Sequence, residues 1–257
     1  TKIVISYLKK GYKVIVVSSA MSGDTNKLIK FTKLISSNFK DSEYDTILAT
    51  GEQISCSLIA GRLNSLGYMS RSWLGWQVPI ITTGNYSFSR IIKIYKKNIF
   101  NFLKRGGVPI IAGFQGINKE NRITTLGRGG SDSSAIMLAK FFKAEKCIIY
   151  TDVDGVYTTD PNVVPKAKKI KKISYEEMLE MSSLGAKVMQ PHSIQDARLG
   201  RIDVEVRSSF KNISGSLITK RKNVSTKNII RGVSFTKNDA KITLVAVKDK
   251  PGVAAAI

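Results

Sequence analysis

Apolar residues follow two patterns along this chain, short continuous runs and longer runs with helical spacing. Continuous runs rich in β-branched residues predict strands buried on both faces, as in a parallel sheet, and they occur at 12–17, 108–112 and 147–150. Helical spacing predicts helices at 1–10, 25–38, 54–66, 88–104 and from residue 131 onward. The alternation of the two patterns predicts an α/β fold in which helices cover a mostly parallel sheet.

Weaker patterns complete the prediction. Segments 70–77 and 78–82, around Pro79, predict a peripheral hairpin, and 203–207 and 216–219 predict the last strands of this domain. Residues 45–50 are interpreted as a short lead into the next helix. A capping box at Ser174 to Glu177 predicts a helix start. The helix at 25–38 is expected to bury five apolar side chains, namely Leu28, Ile29, Phe31, Leu34 and Ile35.

The charged stretch 220–227 has the composition of a linker. Beyond it, 229–235 and 241–247 alternate as half-buried strands do. We therefore expect a main domain at 1–223 and the beginning of a second domain at 224–257.

The composition of the chain limits the classes of protein to which it can belong. A chain of 257 residues with 42% hydrophobic content can bury the core of one large α/β domain. No apolar run approaches the roughly 20 residues of a membrane span, and no signal peptide is evident, so we expect a cytoplasmic protein without a membrane partner. Cys56 and Cys147 lie in apolar surroundings without a CxxC motif and are expected to be reduced core residues.

The formal net charge of +22 raises the possibility of a nucleic-acid binder. The lysines, however, are spread over predicted helix faces and form no basic stripe interleaved with aromatic residues. Solvated faces are therefore the preferred interpretation, and we expect no nucleic-acid partner. The positive field should still favour small polyanions such as nucleotides.

A glycine-rich turn at 124–135 runs directly into a predicted helix. Gly127, Gly129 and Gly130 allow the backbone to approach a ligand, and Ser131 begins the helix, whose first N–H groups and dipole attract anions. Arg128 adds a charged fork that suits a carboxylate or phosphate. The structural alternative is an ordinary strand-to-helix turn with a surface arginine.

Three other polar segments carry candidate chemistry. Residues 18–25 follow the strand at 12–17, and 151–161 follow the strand at 147–150, so both lie where α/β sheets bind ligands. The second segment could instead be an Asx-rich surface turn. Glu52 stands in the first turn of a helix, where an acid could simply complement the helix dipole.

The string Thr-Thr-Leu-Gly-Arg-Gly-Gly-Ser-Asp at 124–132 closely resembles the signature of the aspartate kinases, within the amino acid kinase superfamily. Further similar strings follow the family's order along nearly the whole chain: Ser-Ala-Met-x-x-x-Thr at 19–25, Gly-Phe-Gln-Gly at 113–116, the segment 151–161, and Gly-Ala-Lys-Val-Met-Gln-Pro at 185–191. Asp-Lys-Pro-Gly-Val at 249–253 resembles the turn that opens ACT regulatory domains.

The resemblance implies an amino acid kinase fold and transfer of the γ-phosphoryl group of ATP to the side-chain carboxylate of L-aspartate. The product would be 4-phospho-L-aspartate, on the way to lysine and diaminopimelate, threonine and methionine. Mg²⁺ would be bound mainly through phosphates. A homo-oligomer and an amino acid effector at a complete ACT domain are further implications of the resemblance.

Site residues are also implied by the resemblance. Arg128 would bind the substrate carboxylate, Thr25 and Glu52 would position the amino acid, and Asp132 would order the catalytic residues. Lys187 would contact a phosphate, so that the catalytic set is Asp132, Lys187 and Arg128. Three further residues would line the amino acid pocket: Gly129, Gly130 and Ser131. The nucleotide would be held by Lys187 together with Ser19, Thr151, Asp152, Tyr157, Thr158, Thr159, Asp160, Pro161 and Asn162. His192 is expected at the surface.

The sequence as given departs from the family pattern at its ends. Family members begin with a strand that ends in Lys-Phe-Gly-Gly-Thr-Ser, which is not found in residues 1–257, and only the opening of the ACT region follows residue 223. Two alternatives to an active kinase therefore stay open. One is a catalytically impaired remnant or a non-catalytic fragment that binds ligands or a partner subunit, and the other is the basic nucleic-acid binder.

Overall fold

The computed structural model describes residues 1–186, 188–220 and 232–235. Helices and strands alternate through most of these ranges. The helices are α1 (Lys2–Leu8), α2 (Asp24–Ile35), α3 (Asp41–Leu48), α4 (Thr50–Ser65), α5 (Lys97–Lys104), α6 (Gly130–Phe142), α7 (Tyr175–Ser183) and α8 (Pro191–Gly200). The strands are β1 (Val16–Ser18), β2 (Ser70–Trp73), β3 (Ile80–Thr82), β4 (Ile91–Ile94), β5 (Val108–Ala112), β6 (Gln115–Ile117), β7 (Ile123–Thr125), β8 (Cys147–Thr151), β9 (Lys172–Ser174), β10 (Val204–Ser208) and β11 (Ser216–Thr219).

A parallel sheet of order β1-β5-β2 organises the first half of the chain. All five residues of β5 are buried, as expected for a strand with neighbours on both edges and helices on its faces. Helix α4 packs against this sheet through Cys56 and Leu63. Because β1 and β5 are parallel, Ser18 and Ala112 are register partners, and both strands end at the same edge.

A second sheet of order β4-β3-β6-β7 continues the first half. Its β6–β7 hairpin returns the chain antiparallel to itself, with Gln115 opposite Thr125. This hairpin therefore brings the end of β7 beside the end of β5. The glycine-rich turn predicted at 124–135 begins at that point.

The third sheet, of order β8-β10-β11-β9, forms the second half of the molecule. Strands β8 and β10 are parallel, as are β9 and β11, whereas β10 and β11 are antiparallel. Helix α6 joins the two halves, since its Ile136 packs in the core of the third sheet and its Leu138 in a core with β3, β4 and β5.

The predicted α/β class is confirmed, because five of the strand pairings within the described residues are parallel and three are antiparallel. The continuous apolar runs contain β1, β5 and β8, but β1 begins only at Val16, and of these three strands only β5 is buried along its whole length. Ser174 and Glu177 make the predicted capping box, each side chain accepting a backbone N–H of the other residue. Cys56 and Cys147 are buried free thiols, as expected.

The predicted peripheral hairpin at 70–82 is wrong. Strand β2 pairs in parallel with the buried strand β5, while β3 pairs with β4 and β6 in a different sheet. A hydrogen-bonded turn after Trp73, in which Gln77 N–H donates to the Leu74 carbonyl, redirects the chain between the two sheets. Each strand therefore finds partners that are distant in sequence.

Two further segments differ from their predictions. The amphipathic run at 88–104 splits, so that its first part is the strand β4 and only Lys97–Lys104 is helical. Residues 45–50, interpreted as a short lead into the next helix, instead end one helix and begin another, since Asp45 lies in α3 and Thr50 begins α4.

The prediction that this helix, α2, buries five apolar side chains is wrong in its carboxyl half. Phe31, Leu34 and Ile35 are 48, 81 and 78% exposed, and Thr32 is the buried residue of the helix. The helix packs through its first turns, where the Leu28 side chain approaches Gly51 at the start of α4. Helical spacing correctly indicated an apolar face, but the described residues do not cover it.

The predicted strands at 229–235 and 241–247 and the turn at 249–253 lie outside the described residues, except for 232–235, which form no regular element. Within that short segment the Val233 N–H donates to the Thr158 carbonyl. No helix in the described part of the chain combines the length and apolarity needed to span a membrane.

Candidate active site

The residues after β1 are fastened to the first turns of α4. The Ser55 hydroxyl donates to the Ser19 carbonyl at 2.6 Å and lies 2.8 Å from the Ser18 hydroxyl. The Ala20 N–H donates to Glu52 Oε1 at 3.1 Å. A side chain on Gly51 would place its Cβ 2.8 Å from the Ala20 Cβ, so glycine permits this close approach. The start of α4 therefore lies against the carboxyl end of β1.

Glu52 presents a buried carboxyl group at this junction. Its side chain is 4% exposed, and Oε2 has no hydrogen-bond partner among the described residues. Burial raises the pKa of Glu52 to about 7, opposed by the hydrogen bond from Ala20. An acid that merely complements a helix dipole would sit in water, so this geometry favours a ligand-binding role.

The glycine-rich turn meets the ends of β1 and β5. The Gly113 N–H donates to the Ser18 carbonyl at 3.0 Å, and a Cβ on Gly113 would lie 2.9 Å from Ser131 Oγ. Ser134 connects the same elements, because its hydroxyl donates to the Gly130 carbonyl and accepts the Phe114 N–H. The start of α6 is thus fixed directly beside the carboxyl ends of two parallel strands.

Helix α8 supports the turn from the other side. Gly127 and Gly129 both have a φ of 74°, in the left-handed region. A Cβ on Gly129 would lie 2.6 Å from Gln190 Cγ. The fully buried Ser193 donates to the Gly129 carbonyl at 3.1 Å and lies 3.2 Å from the Ser133 hydroxyl.

Three further candidate side chains, of Arg128, Asp132 and Thr25, differ in their surroundings. Arg128 is exposed and makes no ion pair within the described residues, so its guanidinium is available to a ligand. Asp132 is half-buried, and burial raises its pKa to about 6. Thr25 is half-buried in the first turn of α2, one turn before Leu28.

A cavity of about 670 Å³ lies between β1 and β8, and α1, α5 and α6 also contribute to its walls. Its lining is largely apolar, but Ser19, Ser131 and Asp132 contribute polar groups. Tyr150 also lines it and hydrogen-bonds Tyr7 of α1.

A second cavity, of about 990 Å³, begins one residue further along β8, at Thr151. Most of the side chains expected to hold the nucleotide line it: Thr151, Asp152, Tyr157, Thr159, Asp160, Pro161 and Asn162. Gly185, Ala186 and Val188 line the opposite wall, while Lys187 lies outside the described residues. Tyr150 lines the first cavity and Thr151 the second, so both cavities reach the carboxyl end of β8.

Two of the residues expected to hold the nucleotide, Ser19 and Thr158, do not line this cavity. Ser19 lines the first cavity instead of the second. Thr158 is not part of the lining, and its side chain accepts the Lys168 N–H while its backbone pairs with Lys168 and Val233.

The structure shows two features that sequence reasoning missed, an ion pair and a half-buried histidine. Lys211 forms an ion pair with Asp154 at 2.8 Å on the wall of the second cavity, and this contact holds the pKa of Asp154 below its ordinary value. Neither residue has local neighbours that could have signalled the pair. His192, expected at the surface, is half-buried, its Nε2 has no partner within the described residues, and burial lowers its pKa.

Comparison with known proteins identifies similar chains. The model of the amino acid kinase family matches residues 2–208. The chain is 46% identical to an aspartate kinase of Pseudomonas putida over 245 residues, and 43% identical to an aspartokinase of Geobacillus stearothermophilus over 245 residues. In each case the match covers 95% of this chain and 60% of the relative, so the chain spans less than two thirds of the length of these proteins.

Solved structures are similar as well. Aspartate kinase from Synechocystis matches with a TM-score of 0.76 and 38% identity, over 85% of this chain and 36% of that protein. E. coli aspartokinase III in complex with aspartate and ADP matches with a TM-score of 0.70 and 28% identity, over 81% of this chain and 48% of that protein.

Proposed function

The chain belongs to the amino acid kinase family, and on this premise we propose that it forms the catalytic part of an aspartate kinase. The proposed reaction transfers the γ-phosphoryl group of ATP to the side-chain carboxylate of L-aspartate. ADP and 4-phospho-L-aspartate are the products. The relatives named as aspartate kinases and the structure solved with aspartate and ADP support this choice within the family.

The observation that carries the proposal is the unpartnered, buried Oε2 of Glu52. A buried carboxylate oxygen without a donor is costly, and a cationic ligand would relieve that cost. The α-ammonium group of an amino acid is such a ligand, with three donors and a positive charge. Thr25, one turn from the Leu28–Gly51 contact, supplies a hydroxyl on the same side.

Arg128 complements this pocket by binding a carboxylate of the acceptor. Its guanidinium can donate two parallel hydrogen bonds to a carboxylate, which fixes orientation as well as charge. The backbone of Gly129, Gly130 and Ser131 opens α6, so its N–H groups and the helix dipole also attract an anionic group. An amino acid with two carboxylates and one ammonium group uses all of these elements.

We place the nucleotide in the second cavity. Its lining combines short polar side chains with apolar ones such as Val156 and Phe235, and it includes a tight turn in which Asp160 Oδ1 accepts the Asn162 N–H at 2.9 Å. When bound, Mg²⁺ would supply positive charge at the phosphates. It would be held mainly by phosphate oxygens, and the exposed carboxyl groups of Asp152 and Asp160 are further oxygen donors of the type it prefers.

Transfer requires two anions to meet. Unit charges 4 Å apart repel by about 4 kcal/mol at an effective dielectric constant of 20. The protein must therefore orient the two substrates and neutralise their charges, since phosphoryl transfer requires little covalent chemistry from the protein. An acceptor oxygen attacks the γ-phosphorus, the bond to the β–γ bridging oxygen breaks, and ADP leaves. Asp132, at the start of α6 and on the lining of the first cavity, is proposed to order the groups involved.

For the complete protein we propose domain boundaries at 1–223 and from 224 onward, a homo-oligomeric assembly and an amino acid effector. The E. coli aspartokinase III structure described with lysine and aspartate supports the effector. The sequence of 249–253 supports an ACT-like region as its site.

The test is a coupled ADP-release assay with hydroxamate detection of the acyl phosphate, on the protein expressed from its complete gene. Aspartate, glutamate and N-acetylglutamate are compared as acceptors. We expect turnover with aspartate and its loss in Glu52→Gln, whereas Glu176→Gln, an exposed acid on α7, should match wild type. Turnover with another acceptor would reassign the substrate, and inactivity with every acceptor would refute the proposal.

A further inference from the structure

We propose that Asp45, which no sequence motif includes, is a positioning residue that sets the affinity for the acceptor by holding the segment that carries Arg128. This inference rests on the proposed function for its kinetic consequence. Its structural basis is independent of that function, because it follows from the hydrogen bonds of one buried side chain.

Asp45 is fully buried in the middle of α3. Its two oxygens accept only from residues distant in sequence. The Thr125 N–H donates to Oδ2 at 2.7 Å, and the Thr125 hydroxyl donates to Oδ1 at 2.8 Å. The Ser87 N–H lies 2.9 Å from Oδ2 and 3.1 Å from Oδ1, and the Ser87 hydroxyl donates to Oδ1 at 3.1 Å. Both oxygens thus serve two separate segments at once.

The first segment is the end of β7. Thr125 lies three residues before Arg128, and its carbonyl accepts the Ser89 N–H. Leu126 follows, and its side chain would lie 2.8 Å from a Cβ on Gly130. Asp45 therefore fixes the point from which the glycine-rich turn departs.

The second segment is the loop before β4. Ser87 has a φ of 64°, a left-handed conformation that a non-glycine residue adopts at an energetic cost. Three of the hydrogen bonds to Asp45 come from Ser87 and stabilise that conformation. The Ser87 carbonyl would lie 2.9 Å from a Cβ on Gly127, and the Phe88 ring lies next to it. Ser87 therefore packs against Gly127, the residue before Arg128.

Asparagine can replace this aspartate only in part. Its amide oxygen can take the Oδ2 position and still accept both backbone N–H groups, and its NH₂ would then face the hydroxyls of Ser87 and Thr125, which have to turn and accept. The second bond of the Ser87 N–H, to Oδ1, is lost, and the charge-assisted hydrogen bonds of the carboxylate become weaker neutral ones. The turn and the Ser87 loop are then held less firmly, and so is the segment that carries the guanidinium of Arg128.

The kinetic test compares Asp45→Asn with a matched control in the protein expressed from its complete gene. The control is Asp203→Asn, because Asp203 Oδ1 also accepts side-chain hydroxyls, from Thr219 and Tyr175, but lies at the amino end of β10. In Asp45→Asn we expect the KM for aspartate to rise at least about tenfold while the KM for ATP changes by less than about twofold, as for a lost acceptor contact. The control should change neither KM.

A milder variant keeps the inference testable if Asp45→Asn does not fold. Thr125→Val removes the hydroxyl bond to Asp45 but keeps the backbone N–H, and it should raise the KM for aspartate by about threefold. Equal rises for both substrates, or an aspartate KM unchanged in both Asp45→Asn and Thr125→Val, would overturn the inference.

Hydrogen exchange provides a readout that needs no activity. Asp45→Asn should accelerate exchange at 85–89 and 124–131 and leave the third sheet protected, because local opening of these segments precedes global unfolding. Asp203→Asn should not accelerate exchange there. If the wild type phosphorylated no acceptor, the proposed function would fail while this comparison still decided the role of Asp45. Uniform acceleration throughout the protein would assign Asp45 to general stability instead.

Discussion

The Ser193 hydroxyl donates a hydrogen bond to the Gly129 carbonyl at 3.1 Å, so that the first turn of α8 directly supports the glycine-rich turn. Helix α8 follows the segment 185–190, whose Gly185, Ala186 and Val188 line the second cavity. The contact therefore links the wall of the cavity proposed for the nucleotide to the backbone that opens the proposed acceptor site. Ser193 has no exposed surface, so water cannot replace the bond.

Gly129→Ala should disrupt this contact. The added Cβ would lie 2.6 Å from Gln190 Cγ, and the φ of 74° is unfavourable for alanine. We expect a loss of stability of about 1–3 kcal/mol together with at least about a tenfold fall in kcat/KM for aspartate. Thermal melting and initial rates measure the two effects.

Gly106→Ala is the matched control for that variant. Gly106 also has a positive φ, of 80°, but no atom lies within 4 Å of its added Cβ, and it is remote from the turn. It should lose stability through backbone strain alone and keep its kcat/KM. A similar fall in both variants would mean that strain, and not the contact with α8, limits activity.

Arg128→Lys should raise the KM for aspartate at least about tenfold and change the KM for ATP little, because a bidentate fork becomes a point charge. Arg105→Lys, an exposed arginine at the end of α5, is the control and should match wild type. Comparable weakening of aspartate and ATP would place Arg128 between the two subsites.

The sequence predicted those parts of the fold whose signals are local. Continuous β-branched runs identified β1, β5 and β8, but full burial was predicted correctly only for β5, because β1 and β8 each end the strand order of a sheet within the described residues. Ser174 and Glu177 predicted a helix start because both hydrogen bonds of a capping box lie within four residues.

Pairing between distant strands could not be predicted in this way. Ile91 and Ile94 fit helical spacing, yet their strand forms by pairing with β3, whose position depends on β6. For α2, the spacing of Phe31, Leu34 and Ile35 indicates one apolar face but not what covers it.

The residues of the candidate site fall into the same two groups, those with a local signal in the sequence and those without one. Gly129 to Asp132 were found because the turn and the helix start are adjacent in sequence, and family resemblance supplied their roles. Asp45 was missed because its partners are 42 and 80 residues away, so no local pattern contains them. Positioning residues of this kind become visible only through the contacts of the folded chain.

Glu52 should make the stability of the ligand-free protein fall with rising pH. Burial raises the pKa of Glu52 from an ordinary value of 4.5 to about 7, so the folded protein holds the proton more tightly than the unfolded chain. The free energy of unfolding therefore decreases between these two pH values, and the loss is complete above about pH 7. Asp132, whose pKa burial raises to about 6, contributes in the same direction over a lower range.

Glu52→Gln removes this titration, and thermal melting across pH 4 to 8 measures the result. The variant should be more stable than wild type above pH 7 by about 1–3 kcal/mol, and the advantage should vanish toward pH 4, because neutral glutamine mimics the protonated acid. Asp132→Asn should gain stability too, but its advantage should be complete near pH 6. Aspartate should raise the melting temperature of wild type at pH 8 and not that of Glu52→Gln, since only an ionised carboxylate attracts the ammonium group. An identical pH dependence in wild type and Glu52→Gln would mean that Oε2 has a partner in the folded protein, and the ammonium site would then have to lie elsewhere.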